Sequence, residues 1–142
     1  RIGVTGWQLT RTALRVLPRL ERVIVDLAPL GEGRTLRFDI DVPPDASTRI
    51  PEAVLRSLLS NLVGNAMAHG ADGWVGIHLR DRALHIENAL SPELPPAAEG
   101  QRREGSPGLG LGLGIVRRRC ERHGIALQVS CEGNRVVARI PL

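Results

Sequence analysis

Between Pro18 and Leu27 the apolar residues Leu20, Val23, Ile24 and Leu27 recur at helical spacing, which predicts a helix with one buried stripe. Residues 8–17 are also compatible with helix, and Pro18 interrupts or restarts the pattern. Leu-Gly-Glu-Gly at 30–33 stops it. The period then changes. Over 34–42, Leu36, Phe38, Ile40 and Val42 point one way and Arg37, Asp39 and Asp41 the other, the mark of a strand with one buried face. Residues 43–48 read as a loop, and Pro51 suits the first turn of a helix running to about His69, with Leu55, Leu58, Leu59, Leu62 and Ala66 as its apolar side. Residues 74–80 and 83–88 form a hairpin around Asp81-Arg82. Residues 91–107 are rich in Pro, Gly and charge and have no apolar face, so they form a loop; one this long in a compact domain usually serves as a lid or binding loop. A helix from about Leu111 to His123 is ended by Gly124. A final hairpin pairs 126–130 with 135–140 through Glu132-Gly133-Asn134. Three helices and five strands make an α+β two-layer sandwich, with the helices on one face of a mixed five-stranded sheet.

Composition narrows the picture. The 142 residues suffice for one domain with one core, and at 42% apolar but only 2% aromatic that core must be built from Leu, Val, Ile and Ala. No apolar stretch approaches the ~18–20 residues of a membrane span, and no signal-peptide pattern is present. The chain begins with Arg1, so it is expected to be an excised piece of a longer protein. All 19 basic residues are arginine and the net charge is +4, but they are spread along the chain and almost no aromatic is available to stack on bases, which argues against nucleic acid. Cys120 and Cys131 lack metal spacing and read as reduced thiols; His78 and His85 alternate on strands, and His123 ends a helix.

Two segments carry candidate chemistry. In Gly-Leu-Gly-Leu-Gly-Leu-Gly, residues 108–114, glycines at every second position clear one strip of backbone, which can approach an anion closely just before a helix whose positive end points the same way. The dinucleotide pattern GxGxxG fails, because its last glycine would fall on Leu113 or Ile115. The P-loop pattern fails for want of a lysine. Upstream, in NLVGNAMAHG at 61–70, Asn61, Asn65 and His69 are four apart and share a helix face opposite the leucines. Asparagine is a poor helix former, and a merely wet face would use Glu or Arg more often. Its amide offers an oxygen to a hard cation and an N–H to a phosphate, which suits magnesium on a triphosphate.

NLVGNAMAHG resembles the N-box of the ATP-binding catalytic domain of bacterial two-component sensor histidine kinases, and GLGLGLGIV resembles their second glycine box. The resemblance covers about residues 14–142, with 1–13 expected to lead in from a dimerisation domain that the chain lacks. It implies the Bergerat-type fold shared with gyrase, the Hsp90 chaperones and MutL, and a protein-histidine kinase with ATP and Mg2+ as cofactors. It implies that Asn65 ligates magnesium and that Asn61 assists, as the catalytic and metal positions. His69 would lie against the nucleotide, and Gly108, Leu109, Gly110, Leu111 and Gly112 would meet the phosphates at the base of the lid. Two positions depart from the family pattern. Ala68 stands where a Lys or Arg is frequent, and Arg102 and Arg103 in the lid are the expected replacements. Asn88 stands where an Asp usually meets the adenine amine, and the glycines after it are missing, which bears on ATP affinity rather than on fold.

The implied partners are the dimerisation and phospho-acceptor domain of the same parent and a response regulator, with no nucleic acid and no direct membrane contact. The implied setting is a cytoplasmic domain of an inner-membrane-anchored parent. No segment resembles the phospho-acceptor box. Three alternatives share the fold: an anti-sigma-factor-type serine kinase, a degenerate nucleotide-sensing domain, and an ATPase of the gyrase or chaperone type. The last would carry a Glu where Asn61 stands.

Overall fold

The structure, a computed structural model, describes residues 13–70, 73–89 and 107–142, and only the backbone from 107 to 112. In chain order the elements are β1 (Leu14–Arg15), α1 (Val16–Leu27), a 3-10 turn (Ala28–Gly31), β2 (Arg37–Asp41), β3 (Ser47–Thr48), α2 (Glu52–His69), β4 (Trp74–Arg80), β5 (Ala83–Ala89), α3 (Pro107–Arg122), β6 (Gln128–Glu132) and β7 (Arg135–Pro141). The main sheet has the order β2-β4-β5-β7-β6, as expected a mixed sheet of five strands. Only β2 and β4 are parallel, and a parallel pair needs a crossover, which α2 supplies. α2 lies against β4 and β5, with α1 and α3 packed along it.

The chain chemistry explains most of these elements. β2 alternates only in part: Phe38 is half-buried, Val42 is buried just past its end and Asp39 and Asp41 are exposed, but Ile40, expected on the buried face, is exposed on this edge strand. The β4–β5 hairpin turns at Asp81 and Arg82 with φ of 53° and 60°, the two positive values of a type I′ turn that matches the strand twist. α3 ends on Gly124 at φ 70°, where Ile125 N–H donates to Cys120 O (2.8 Å) and Gly124 N–H to Glu121 O (3.2 Å), the paired bonds of a Schellman cap. The core is aliphatic, as the lack of aromatics requires. Val16, Leu20 and Val23 of α1, Leu55, Leu58, Leu59 and Val63 of α2, Val75, Ile77, Leu84 and Ile140 of the sheet, and Val116 of α3 are essentially fully buried.

Four expectations are corrected. Residues 14 and 15 are a strand, not helix, and α1 begins at Val16; Ser47 and Thr48, expected within the loop 43–48, are the strand that pairs antiparallel with them. Pro18 sits in its first turn, where a missing N–H leaves no intrahelical bond unmade. α3 starts at Pro107, not Leu111, so the glycine run forms the first turns of a helix rather than a segment leading into one. β6 begins at Gln128, two residues later than expected at 126. The helix-compatible residues 8–12 and the loop 91–106 lie outside the described residues.

Among the described residues the second face of the sheet carries no helix. Planar side chains cover it instead. The Trp74 ring lies across Gly76, where a Cβ would stand 2.5 Å from the ring, and the Arg135 guanidinium stacks over that ring at 4.8 Å from its centroid.

Candidate nucleotide site

α2 presents Asn61, Asn65 and His69 on successive turns of one face. Asn61 Nδ2 donates to Ser57 O (2.8 Å), which fixes its amide along the helix and leaves Oδ1 as an acceptor. Asn65 Nδ2 is buried and has no partner among the described residues. A buried amide N–H left unpaired destabilises the domain, so its presence needs a reason beyond folding.

Asn65 and His69 open onto a narrow cleft between α2, the sheet and the start of α3. Its opposite wall is Ile86 and Asn88 of β5, with Val136 and Ala138 of β7 beside them and Leu113 of α3 and Val129 of β6 completing it. The cavity volume is about 30 Å³, space for about two waters, so a base enters only as these side chains part. Asn88 is 5% exposed although it sits mid-sheet, opposite Val75 and Val136. Its Nδ2 donates to Ala89 O (3.1 Å), which again leaves the amide oxygen as an acceptor. Gly70 allows α2 to end this close, since a Cβ there would stand 2.9 Å from Ala66 O and 3.6 Å from Asn88 Cβ.

The site residues implied by the sequence are therefore placed unevenly. Asn65, His69 and Asn88 line one cleft. Asn61 stands one turn back and does not line it. Gly108, Leu109 and Gly110 occupy the first turn of α3; the N–H groups of Gly108 and Leu109 have no intrahelical acceptor, whereas helix geometry engages those of Gly110, Leu111 and Gly112. Arg102 and Arg103 lie outside the described residues. Ala68 is exposed.

One residue of the site was missed by sequence reading. Arg34 Nη1 donates to Met67 O (2.6 Å) and Nη2 to Gly70 O (3.2 Å), so a cation caps the carbonyl end of α2 and holds the turn that carries His69. A lone Arg after a glycine turn carries no signal of this. The apolar wall could have been read, because Val129, Val136 and Ala138 alternate on the last hairpin. Among the described residues no three His, Cys, Asp or Glu side chains are grouped to hold a metal.

A larger groove of about 820 Å³ lies elsewhere, bordered by Leu14, Ile50, Pro51, Ile125 and Leu142. Thr48 borders it as well, but its hydroxyl is already used by Ile50 N–H (3.1 Å), and none of the unpartnered buried polar atoms faces this groove. Size does not outweigh chemistry here, and the small amide-lined cleft is the candidate.

Residues 51–142 match the model of the histidine kinase-, DNA gyrase B- and HSP90-like ATPase family. The chain belongs to that family. It is 32% identical over 120 residues to the phosphate regulon sensor protein PhoR of Pseudomonas aeruginosa, an alignment covering 74% of this chain and 27% of PhoR. It is 32% identical over 133 residues to the virulence sensor protein BvgS of Bordetella pertussis, covering 80% of this chain and 11% of BvgS. The chain thus spans about a quarter of PhoR and a tenth of BvgS. Among solved structures, the catalytic domain of histidine kinase ThkA superposes with a TM-score of 0.67 at 19% identity, covering 91% of this chain and 93% of that one. The mycobacterial sensor histidine kinase MprB gives 0.69 at 22% identity, over 90% of this chain and 95% of that one. These two show the same α+β sandwich. In this fold and family the chain is an ATP-binding domain of the histidine kinase ATPase kind.

Proposed function

We propose that residues 14–142 are the catalytic domain of a sensor histidine kinase, with 1–13 leading in from a dimerisation domain, and that it transfers the γ-phosphate of Mg-ATP to a histidine on that domain. The observation that carries this reading is the unpartnered, buried Nδ2 of Asn65, one turn from Asn61 and across the cleft from Asn88. The adenine would enter the apolar cleft, its amino group donating to Asn88 Oδ1, with His69 against the ring. The triphosphate would extend along α2 toward the first turn of α3, where the N–H groups of Gly108 and Leu109 and the helix dipole favour an anion and Gly110 leaves room for it. Arg102 and Arg103 are proposed as phosphate contacts, with Leu111 and Gly112 in the same hinge.

Mg2+ fits the donor set. Asn65 and Asn61 offer neutral amide oxygens and the described residues build no acidic cage, which suits an ion that keeps its waters and takes its other ligands from phosphate. When bound it would offset charge on the phosphates. The chain's own part is positioning: it holds the nucleotide, screens the site from water and aims the γ-phosphate outward. A water-splitting relative would carry a carboxylate base where Asn61 stands. An amide tied to Ser57 O cannot take a proton, so a phosphoryl acceptor other than water is favoured.

The acceptor domain of the same parent and a response regulator are the proposed partners. The proposed setting is cytoplasmic, in an inner-membrane-anchored parent. Among the described residues no helix is long and apolar enough to cross a membrane. The test is labelling. Incubated with labelled Mg-ATP and the parent's dimerisation domain, the chain is expected to phosphorylate that domain slowly in trans, giving an acid-labile, base-stable product. An acid-stable product supports the serine-kinase alternative, rapid free phosphate an ATPase, and no transfer despite ATP binding a sensing domain.

The base contact has its own test. Asn88→Ala is expected to weaken nucleotide binding by about 1–3 kcal/mol, the range for a buried partner left unpaired, while Asn88→Asp holds or raises affinity. Calorimetric titration with ATP reads both. Unchanged dissociation constants in the two variants would separate residue 88 from the base.

A further inference from the structure

The helix-free face of the sheet carries a second cluster, across β5 from the nucleotide cleft. His78 on β4 and His85 on β5 are direct cross-strand partners. Their rings stack with centroids 4.8 Å apart and planes within 4°. His78 Nδ1 lies 3.3 Å from Glu87 Oε2, and His85 Nδ1 lies 3.2 Å from Ala83 O. A backbone carbonyl only accepts hydrogen bonds, so the His85 contact requires the proton on Nδ1, and the carboxylate beside His78 Nδ1 favours the proton there as well. Both rings are then held in the tautomer that leaves a lone pair on Nε2, and neither Nε2 is a buried unpartnered atom. Glu87 is in turn held by Arg135 Nη1 at 3.3 Å.

This is the arrangement that prepares histidines for a metal. The second ring nitrogen of a metal-bound His ordinarily donates to a carboxylate or a backbone carbonyl, which fixes the ring and strengthens the ligand. We propose that His78 and His85 form a two-histidine chelate on the open sheet face for a divalent transition metal such as Zn2+ or Ni2+, with Nε2 of each as ligand and water completing the shell. Zn–N bonds of about 2.0–2.1 Å put two tetrahedral ligands ~3.3 Å apart, and because lone pairs in parallel planes do not converge, the two rings must leave their stack as the metal binds. Imidazole suits these borderline ions, whereas Mg2+ and Ca2+ prefer oxygen. The row continues to Asp41 opposite His78 and Arg139 opposite His85, and among the described residues no third ligand is grouped with the pair. The site is therefore open. It ties β4 to β5 without touching the cleft, because Glu87 and His85 face away from the helices while Ile86 and Asn88 face them.

The test is a titration of the nucleotide-free chain with zinc chloride or nickel chloride, read by the imidazole proton signals of its four histidines. The expected result is one equivalent bound, with the His78 and His85 signals moving together. His78→Gln and His85→Gln should each weaken binding at least tenfold, and Glu87→Gln by about tenfold, the typical loss when the partner of a metal-bound His is removed. The unsubstituted chain reports even if a variant fails to fold, because the affected signals identify the ligands. Signals moving only at His69 or His123, affinity unchanged in either His variant, or no binding at millimolar metal would overturn the proposal.

Discussion

Asn65→Ala is expected to abolish detectable Mg-ATP binding while leaving the fold and its stability intact or slightly improved. The direction of both effects follows from one atom. Nδ2 of Asn65 is buried with no partner among the described residues, so its removal relieves the folded chain without ligand of an unpaired donor. The Mg-ATP complex would lose the amide oxygen that the proposed magnesium contact uses. Calorimetric titration with Mg-ATP, together with thermal unfolding of the empty protein, separates these outcomes. If the variant binds Mg-ATP like the parent, Asn65 is no part of the site. If it unfolds, the residue is structural.

Leu58→Ala is expected to destabilise the fold by roughly 2–5 kcal/mol and lower Tm by roughly 6–15 °C. Leu58 is fully buried at 0% exposure, mid-way along the helix that packs against both neighbouring helices and the sheet, and deleting its branch leaves a cavity that no adjacent loop can fill. The reverse change at an exposed position of the same helix, Ala68→Leu, is expected to shift stability by less than about 0.5 kcal/mol. Urea unfolding followed by circular dichroism measures both, and a small effect at Leu58 would contradict the packing described.

These two residues also mark what the sequence makes legible. Leu58 belongs to a helical period, and Leu36, Phe38, Ile40 and Val42 to a strand period, so the core-facing side of α2 can be read without a structure and that of β2 in part, since Ile40 keeps the period but lies exposed at the sheet edge. The β4–β5 hairpin is bracketed by clear alternation, and Gly124 marks the end of α3 for the physical reason the cap displays. β1 and β3 are two residues each, too short to carry any period, and their pairing is fixed by tertiary contact alone. The start of α3 is hidden because glycine at every second position is a poor helix signal, and Pro107, a favoured first helical residue, lies at the end of a charged loop. At the site, Asn65 and His69 stand out as polar choices on a buried helix, and the structure brings them to the same cleft as Asn88. Arg34 does not stand out, because its role depends on where the carbonyl end of α2 comes to rest.

The central claim is that the nucleotide enters the small amide-lined cleft and not the larger groove near Pro51 and Ile125. Residue-resolved amide chemical shifts, followed as Mg-ATP is added to the unmodified chain, test it most directly. The account predicts shifts concentrated at Asn61–His69 of α2, at Asn88 and at Gly108–Gly112, with the amides of Leu14, Thr48, Ile125 and Leu142 unmoved. Saturable shifts centred on those last four residues, or none anywhere at millimolar Mg-ATP, would contradict it.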